Sequence, residues 1–198
     1  MADPADRFYW SVLVVRCQVG DRAAFGQLVA HFHPRVRAFL HQMTAGRGPV
    51  VHADDLAQEV WLDVFRDLPR LTDAGAFVPW LYRIARNRAL RSLRRRPEPV
   101  TSLHDAGVEL ADEADDDAAF TAEDAAAVHA ALDCLAAEHR EVLLLRFLED
   151  MSYDEIAAVA GCPVGTVRSR LHHAKRALSA ALADGSMGSE RPTGETRR

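Results

Sequence analysis

An all-α fold, with two small helical domains joined by a flexible acidic linker, is predicted by three features of this 198-residue sequence. Apolar residues recur at spacings of three and four on both sides of the middle of the chain. No segment alternates apolar and polar residues as a half-buried strand does, and residues 97–124 carry ten carboxylates with no Lys or Arg. A hydrophobic content of 48% is enough to build real cores and excludes disorder throughout.

The first domain is expected over residues 10–96. Asp21 stands where a helix N-cap belongs, ahead of a stripe made by Phe25, Leu28, Val29, Phe32, Val36, Phe39 and Leu40. Leu56, Val60, Trp61, Val64, Phe65 and Leu68 make a second stripe; Phe77, Trp80, Leu81, Ile84 and Leu90 make a third. Three or four helices packed on these stripes account for the segment.

In residues 97–124, Pro97, Pro99 and Gly107 interrupt any helical period, and the carboxylates repel one another, so a mobile tether is expected. A second reading has this acidic stretch resting on a basic surface until a partner displaces it.

The second domain is expected over residues 125–183. Val128, Leu132 and Leu135 open one helix and another runs near Glu138 to Glu149. Ser152 and Glu155 have the spacing of a capping box at the start of a short helix to Ala160. Gly161, Cys162 and Pro163 break the chain tightly. Val164, Val167, Leu171, Ala174 and Leu178 then recur along a longer helix, which completes a helix-turn-helix. Residues 184–198, rich in Gly, Ser and Arg, are expected to be a disordered tail.

Charge is sorted unevenly along the chain. The formal net charge is -5, yet the segment from Phe77 to Arg96 holds seven arginines (83, 86, 88, 91, 94, 95 and 96) and no carboxylate. Arginines interleaved with aromatic residues suit a surface that follows a phosphate backbone and offers ring faces to unstacked bases. From Pro163 to Leu178 there are four cations and no acid. With Leu171 facing the core, Thr166, Ser169, His173 and Arg176 fall nearly opposite it, flanked by His172, with Arg168 and Arg170 on the two edges. Such a face can enter a major groove without repelling phosphate. On the helix carrying Leu56 and Val60, Asp55, Gln58, Glu59 and Asp63 share one polar edge, either a plain solvated face or a rim suited to a basic partner.

Other classes of function find little support. The three cysteines are dispersed and form no Cys-x-x-Cys pair; His31 and His33 point about 200 degrees apart on a helix and cannot share one ion. No metal site and no cofactor is expected. No nucleophile elbow or phosphate-binding glycine loop is present, so the chain is not expected to be an enzyme. The amino terminus does not have the order of a secretion signal, and no apolar run approaches the roughly 20 residues of a membrane span. A cytoplasmic protein without membrane insertion is expected.

Three motifs carry a family resemblance. Asp54 to Leu62 (DDLAQEVWL), Trp80 to Asn87 (WLYRIARN), and Met151 to Ala157 (MSYDEIA) with Pro163 to Leu171 (PVGTVRSRL) resemble the second and fourth conserved regions of bacterial sigma factors. Their order and the short linker resemble the extracytoplasmic-function (ECF) group of the sigma-70 family.

The resemblance implies a promoter-specific initiation subunit. Asp55, Gln58, Glu59 and Asp63 would bind the clamp helices of core RNA polymerase, and the second domain would also meet the polymerase flap. Trp80, Arg83, Arg86, Asn87, Arg88 and Arg91 would recognise and open the minus-10 element of promoter DNA. Within that set, Trp80 either fills the core or meets a base. Asn87, placed by its spacing on or near the buried edge, either satisfies a backbone group or helps hold an extruded base. The resemblance favours base capture, with Leu71 to Ala76 shaping the pocket. Leu90 and Arg91 depart from the Asp found there in many relatives. Thr166, Arg168, Ser169, Arg170, His172, His173 and Arg176 would read the minus-35 element. An anti-sigma factor is an implied partner. A helix-turn-helix activator or repressor without initiation-factor activity is the competing reading.

Overall fold

A computed structural model describes residues 4–45, 52–94, 132 and 135–187, with side chains to residue 180. Its helices are α1 (Pro4–Gln18), α2 (Arg22–Thr44), α3 (Ala53–Asp67), α4 (Phe77–Arg94), α5 (Ala137–Leu143), α6 (Tyr153–Ala160) and α7 (Val164–Met187). No strand occurs among the described residues. The predicted linker lies outside them, as does most of the helix predicted from Val128, though its Leu132 and Leu135 are buried.

In the first domain α2 is the central helix, packed on α1, α3 and α4. It starts where expected: the Asp21 carboxylate accepts from the backbone N–H groups of Ala23 (2.9 Å) and Ala24 (3.0 Å). Its stripe buries Leu28, Phe32, Val36, Phe39 and Leu40 against Leu56, Val60 and Val64 of α3 and Phe77, Leu81 and Tyr82 of α4. Edge-to-face ring pairs, Phe32 with Phe77 at 5.6 Å and Phe39 with Tyr82 at 5.3 Å, fix the approach of α4 to α2.

Two features differ from the sequence expectation. Helix α1 has no apolar stripe in the predicted scheme, because Phe8, Tyr9, Trp10, Val12, Leu13, Val14 and Val15 are apolar nearly all round; only Leu13 and Val14 are buried. Phe65, placed on the core stripe of α3, is 63% exposed and instead packs edge-to-face with the Phe25 ring at 5.3 Å. The segment joining α3 to α4 consists of two 3-10 turns, Leu68–Arg70 and Ala74–Ala76. The Gln18 amide holds it by donating to the carbonyls of Leu68 (3.1 Å) and Leu71 (2.7 Å).

In the second domain α5 runs into a π-helical turn at Leu144–Leu148, where sequence periodicity predicts an unbroken helix. The wider turn buries Leu144 and Leu145 and leaves Phe147 and Leu148 exposed. The capping box at α6 forms as expected: the Glu155 carboxylate accepts from the Ser152 N–H (2.8 Å), and the Ser152 hydroxyl accepts from the Glu155 N–H (3.3 Å). Gly161 closes α6 with φ 68, a left-handed conformation that costs glycine little. Helix α7 runs on to Met187, so Asp184 to Met187 are helical rather than part of the expected tail; the rest of the tail lies outside the described residues.

The two domains share one core. Helix α4 packs along α6, and α5 meets α2.

Candidate nucleic-acid interface

Helix α4 begins with the aromatic Phe77 and Trp80, and the intervening turns set its approach to α2. Asp73 caps the second 3-10 turn by accepting from the Gly75 N–H at 2.8 Å. Trp80 is half-buried, with its ring 6.2 Å from that of Phe77 at the margin of the core. It therefore packs on the core while keeping a free edge.

The arginines of α4 divide into two groups. Arg83, Asn87, Arg91 and Arg94 are all exposed, and their spacing of four, four and three places them on one line along the helix. No carboxylate among the described residues pairs with the three arginines of this line. Asn87 was expected on or near the buried edge; it is solvent-facing, because the buried side of α4 is taken by Phe77, Leu81, Tyr82, Ala85 and Ala89. A buried backbone group is therefore not its partner, and the amide is free to meet a ligand. Arg94 completes the line although the predicted set omits it; its recurrence with Arg83, Asn87 and Arg91 was the available signal.

Arg86 and Arg88 are engaged. Arg88 donates from Nε to Asp63 and from Nη1 to Glu59, each at 2.6 Å, which straps α4 to α3. Hydrogen bonding to Asp63 is the main reason its guanidinium holds its proton more firmly than usual. Arg86 pairs with Glu141 of α5, a side chain only 3% exposed. Both arginines were expected to track phosphates and instead face carboxylates in this conformation.

The acidic edge of α3 divides in the same manner. Asp55, Gln58 and Glu59 are exposed, whereas Asp63, expected on the same rim, is buried between Arg88 and Arg66. Its position one turn beyond Glu59 turns it toward α4, where it serves packing more directly than partner contact.

On α7, Val167, Leu171 and Ala174 are buried against α5 and α6, as the spacing predicted. Of the predicted reading residues Arg168 and Arg176 are exposed, as is the flanking Gly165, while Thr166, Ser169, His172 and His173 are half-buried. The open face is thus rotated away from the predicted line. One cause is α5, which covers the His173 edge and brings the His139 ring to 6.1 Å from that of His173. Ser169 donates its hydroxyl to the Thr166 carbonyl at 3.0 Å. Arg170 turns inward: its Nη1 lies 3.9 Å from the Cys162 sulfur, and its charge acts on Glu141. It was expected on an edge of the reading face, and in this structure its guanidinium faces the turn.

Glu141 and Glu149 lie where the domains meet, and sequence reasoning missed both. Burial pushes both carboxyls up, outweighing the pull of Arg86 and then Arg170 on Glu141, and of Tyr82 and Arg35 on Glu149. An acid inside an apolar run, as in Glu141-Val142-Leu143-Leu144-Leu145, was the only available hint.

The chain matches two family models, Sigma-70 region 2 over residues 28–97 and Sigma-70, region 4 over residues 125–178. It is 36% identical over 180 residues to the RNA polymerase sigma-H factor of Pseudomonas aeruginosa, covering 86% of this chain and 92% of that protein. It is 33% identical over 177 residues to the ECF RNA polymerase sigma-E factor of Escherichia coli K12, covering 84% and 91%. Among solved structures, CnrH in complex with the cytosolic domain of CnrY is similar with TM-score 0.65 and 26% identity, over 88% of this chain and 97% of that one. The sigma factor RpoE of Bartonella quintana, solved with the anti-sigma factor NepR, has the same fold with TM-score 0.57 and 24% identity, over 80% and 96%. The two helical domains, the charge-sorted α4 and the capped helix-turn-helix are those of a family in which these relatives share nearly the full chain: the protein belongs to the ECF group of the sigma-70 family.

Proposed function

We propose that this sigma factor reads its promoters through two separate surfaces, the Arg83–Asn87–Arg91 line of α4 at the minus-10 element and the outer face of α7 at the minus-35 element. As a member of its family it binds core RNA polymerase and confers promoter recognition. RNA synthesis itself belongs to the polymerase. Asp55, Gln58 and Glu59 are the polymerase-facing rim, with Arg168 and Arg176 the leading groove contacts of α7. Residues 97–124 tether the two units, and an anti-sigma protein is an expected partner, as NepR is for RpoE of Bartonella quintana. Among the described residues no helix is long and apolar enough to cross a membrane. The protein acts where polymerase and genomic DNA are, in the cytoplasm.

The observation that carries this reading is the α4 line: three unpaired, exposed arginines with an exposed amide among them, on a helix whose other face is locked into the core. Arginines follow phosphates, and an amide can hydrogen-bond the edge of an unstacked base.

Transcription by purified core polymerase tests it. The chain added alone should start RNA at a defined set of genomic promoters, located by sequencing the 5′ ends. The double variant R83A/R91A should lose most initiation on duplex templates and less on templates already opened across the minus-10 element. A chain that yields starts only with another initiation factor present is an activator, and the reading fails.

A further inference from the structure

Helix α1 is apolar on two opposite faces. Trp10, Leu13, Val14 and Cys17 pack on the core. On the far side Phe8 (72% exposed), Val12 (40%), Val15 (51%) and Val19 (82%) form a second ridge that stands open to solvent. A helix apolar all round is ordinarily buried, and a contiguous apolar strip rimmed by polar residues marks an interaction site.

The ridge residues are spaced by four, three and four, the period with which one helix seats along another. Val19 lies one residue past the helix end but still donates its N–H to the Val15 carbonyl at 3.3 Å, which keeps it in phase. Gly20 then turns the chain away with φ 92. No charged residue stands on the ridge. Arg16, at one edge, is already paired with Asp21 at 2.6 Å, and Tyr9 on the same edge donates its hydroxyl to Gln27 at 2.9 Å. The rim is polar but satisfied, so the ridge needs no counter-charge from what covers it.

We propose that α1 is a self-association surface, on which a second copy of this chain docks with its own α1 antiparallel. A two-fold axis between Val12 and Val15 sets Phe8 against Val19 of the other copy and Val12 against its Val15. Each end layer then joins one large and one small side chain, and each middle layer joins two valines. A parallel arrangement would face Phe8 with Phe8 and hold the valine layers apart. Antiparallel pairing also brings Arg16 of one copy beside the Tyr9 ring of the other and Ser11 beside Gln18, so no like charges are opposed along the seam. Four side chains offer well under the roughly 800 Å² per partner of a standard interface, so the dimer is weak and reversible.

The ridge shares no residue with the α3 rim, the α4 line or the outer face of α7, and its test is independent of their assignment. Sedimentation velocity of the reduced full-length chain over roughly 1 μM to 1 mM should show a reversible shift from monomer toward dimer. Val12→Glu and Val15→Glu should each raise the dissociation constant by about tenfold or more, since symmetry applies each change twice. Leu62→Glu on α3 alters an equally bare apolar side chain, 70% exposed, and should leave the association unchanged. A chain monomeric throughout overturns the proposal and leaves the ridge for the helix of another protein. A dimer untouched by both α1 variants, or weakened as much by Leu62→Glu, overturns it too. Direction is read by disulfide formation between chains in which Cys17, Cys134 and Cys162 are replaced by Ala and a single cysteine is introduced by Val12→Cys or Val15→Cys. A mixture of the two should cross-link position 12 to position 15 in preference to 12 with 12, and the reverse order overturns the antiparallel pairing. This readout places no charge in the ridge, so it decides the matter where a Glu variant loses helicity.

Discussion

The guanidinium of Arg168 lies 6.0 Å from the centre of the Tyr153 ring, across the turn that joins α6 to α7. Arg146 approaches the same ring at 5.7 Å. Tyr153 follows the Ser152 cap and packs on the core, so the capping box holds the ring on which Arg168 rests. A cation over an exposed ring contributes about 0.5–1 kcal/mol, a two- to sixfold effect. Tyr153→Ala should weaken binding to a minus-35 duplex by roughly that factor, and Tyr153→Phe should leave it intact. Arg168→Ala should cost about 1–3 kcal/mol, with relaxed preference at one base pair if the contact is bidentate. Fluorescence anisotropy over a set of single-base variants checks both; an even loss on all sequences marks a phosphate contact.

Reversing Asp55 and Glu59 together to Lys should lower affinity for core polymerase while helicity is kept, because Asp55 is free and exposed and Glu59 only half-engaged by Arg88. Asp63→Ala should behave differently. It removes a buried acceptor of Arg88 and should cost about 1–3 kcal/mol of stability, read by urea unfolding. Unchanged polymerase affinity in the double reversal removes the α3 rim from the interface.

The sequence made the helices legible wherever a one-sided stripe met a cap, as at Asp21 with Leu28 to Leu40, or Ser152 with Ile156 and Val159. It left α1 unmarked, since a helix apolar all round has no period to detect. The candidate site was only half legible. Spacing identified the arginine-rich α4 and the buried side of α7. Which arginines are free depends on carboxylates distant in sequence: Glu141 lies 55 residues from Arg86, and Asp63 lies 25 from Arg88. Helical phase places a residue on a face but does not say what covers that face, which is why Asn87 proved open and Arg170 turned inward.

The capping box links the domains as well as starting α6. Arg7 of α1 donates to the Glu155 carboxylate at 3.1 Å, the same group that accepts from Ser152. Ser152→Ala should cost about 0.5–2 kcal/mol, as loss of an N-cap does. Arg7→Ala should cost less, because the arginine is 45% exposed and such pairs contribute about 0–1 kcal/mol. Thermal unfolding of the two variants orders them, and equal losses would mean that Arg7 holds α6 in place rather than merely decorating it.

Acid should act on this protein with two opposite signs. Burial raises the Glu155 carboxyl, but hydrogen bonds from the Ser152 backbone and hydroxyl and from Arg7 more than offset it, so its pKa is lowered. Its stabilisation is present above the ordinary value of 4.5 and is lost as pH falls through the lower folded value. Glu141 and Glu149 are raised by burial, so their stabilisation is complete below 4.5 and is lost as pH rises through their higher folded values. His31, lowered first by burial and then by Arg35, favours the folded state at higher pH, and its contribution fades as pH falls below its ordinary value of 6.5. The contributions are separable by substitution. Replacing Glu149 with Gln removes one group that opposes folding as pH rises from 4.5, so the urea stability of the variant relative to wild type should improve between pH 5 and pH 7.5. Glu155→Gln should leave that window unchanged and alter only the loss on the acid side of 4.5. A Glu149→Gln variant whose stability runs parallel to wild type from pH 5 to 7.5 would show that the domain contact does not hold this carboxylate away from water.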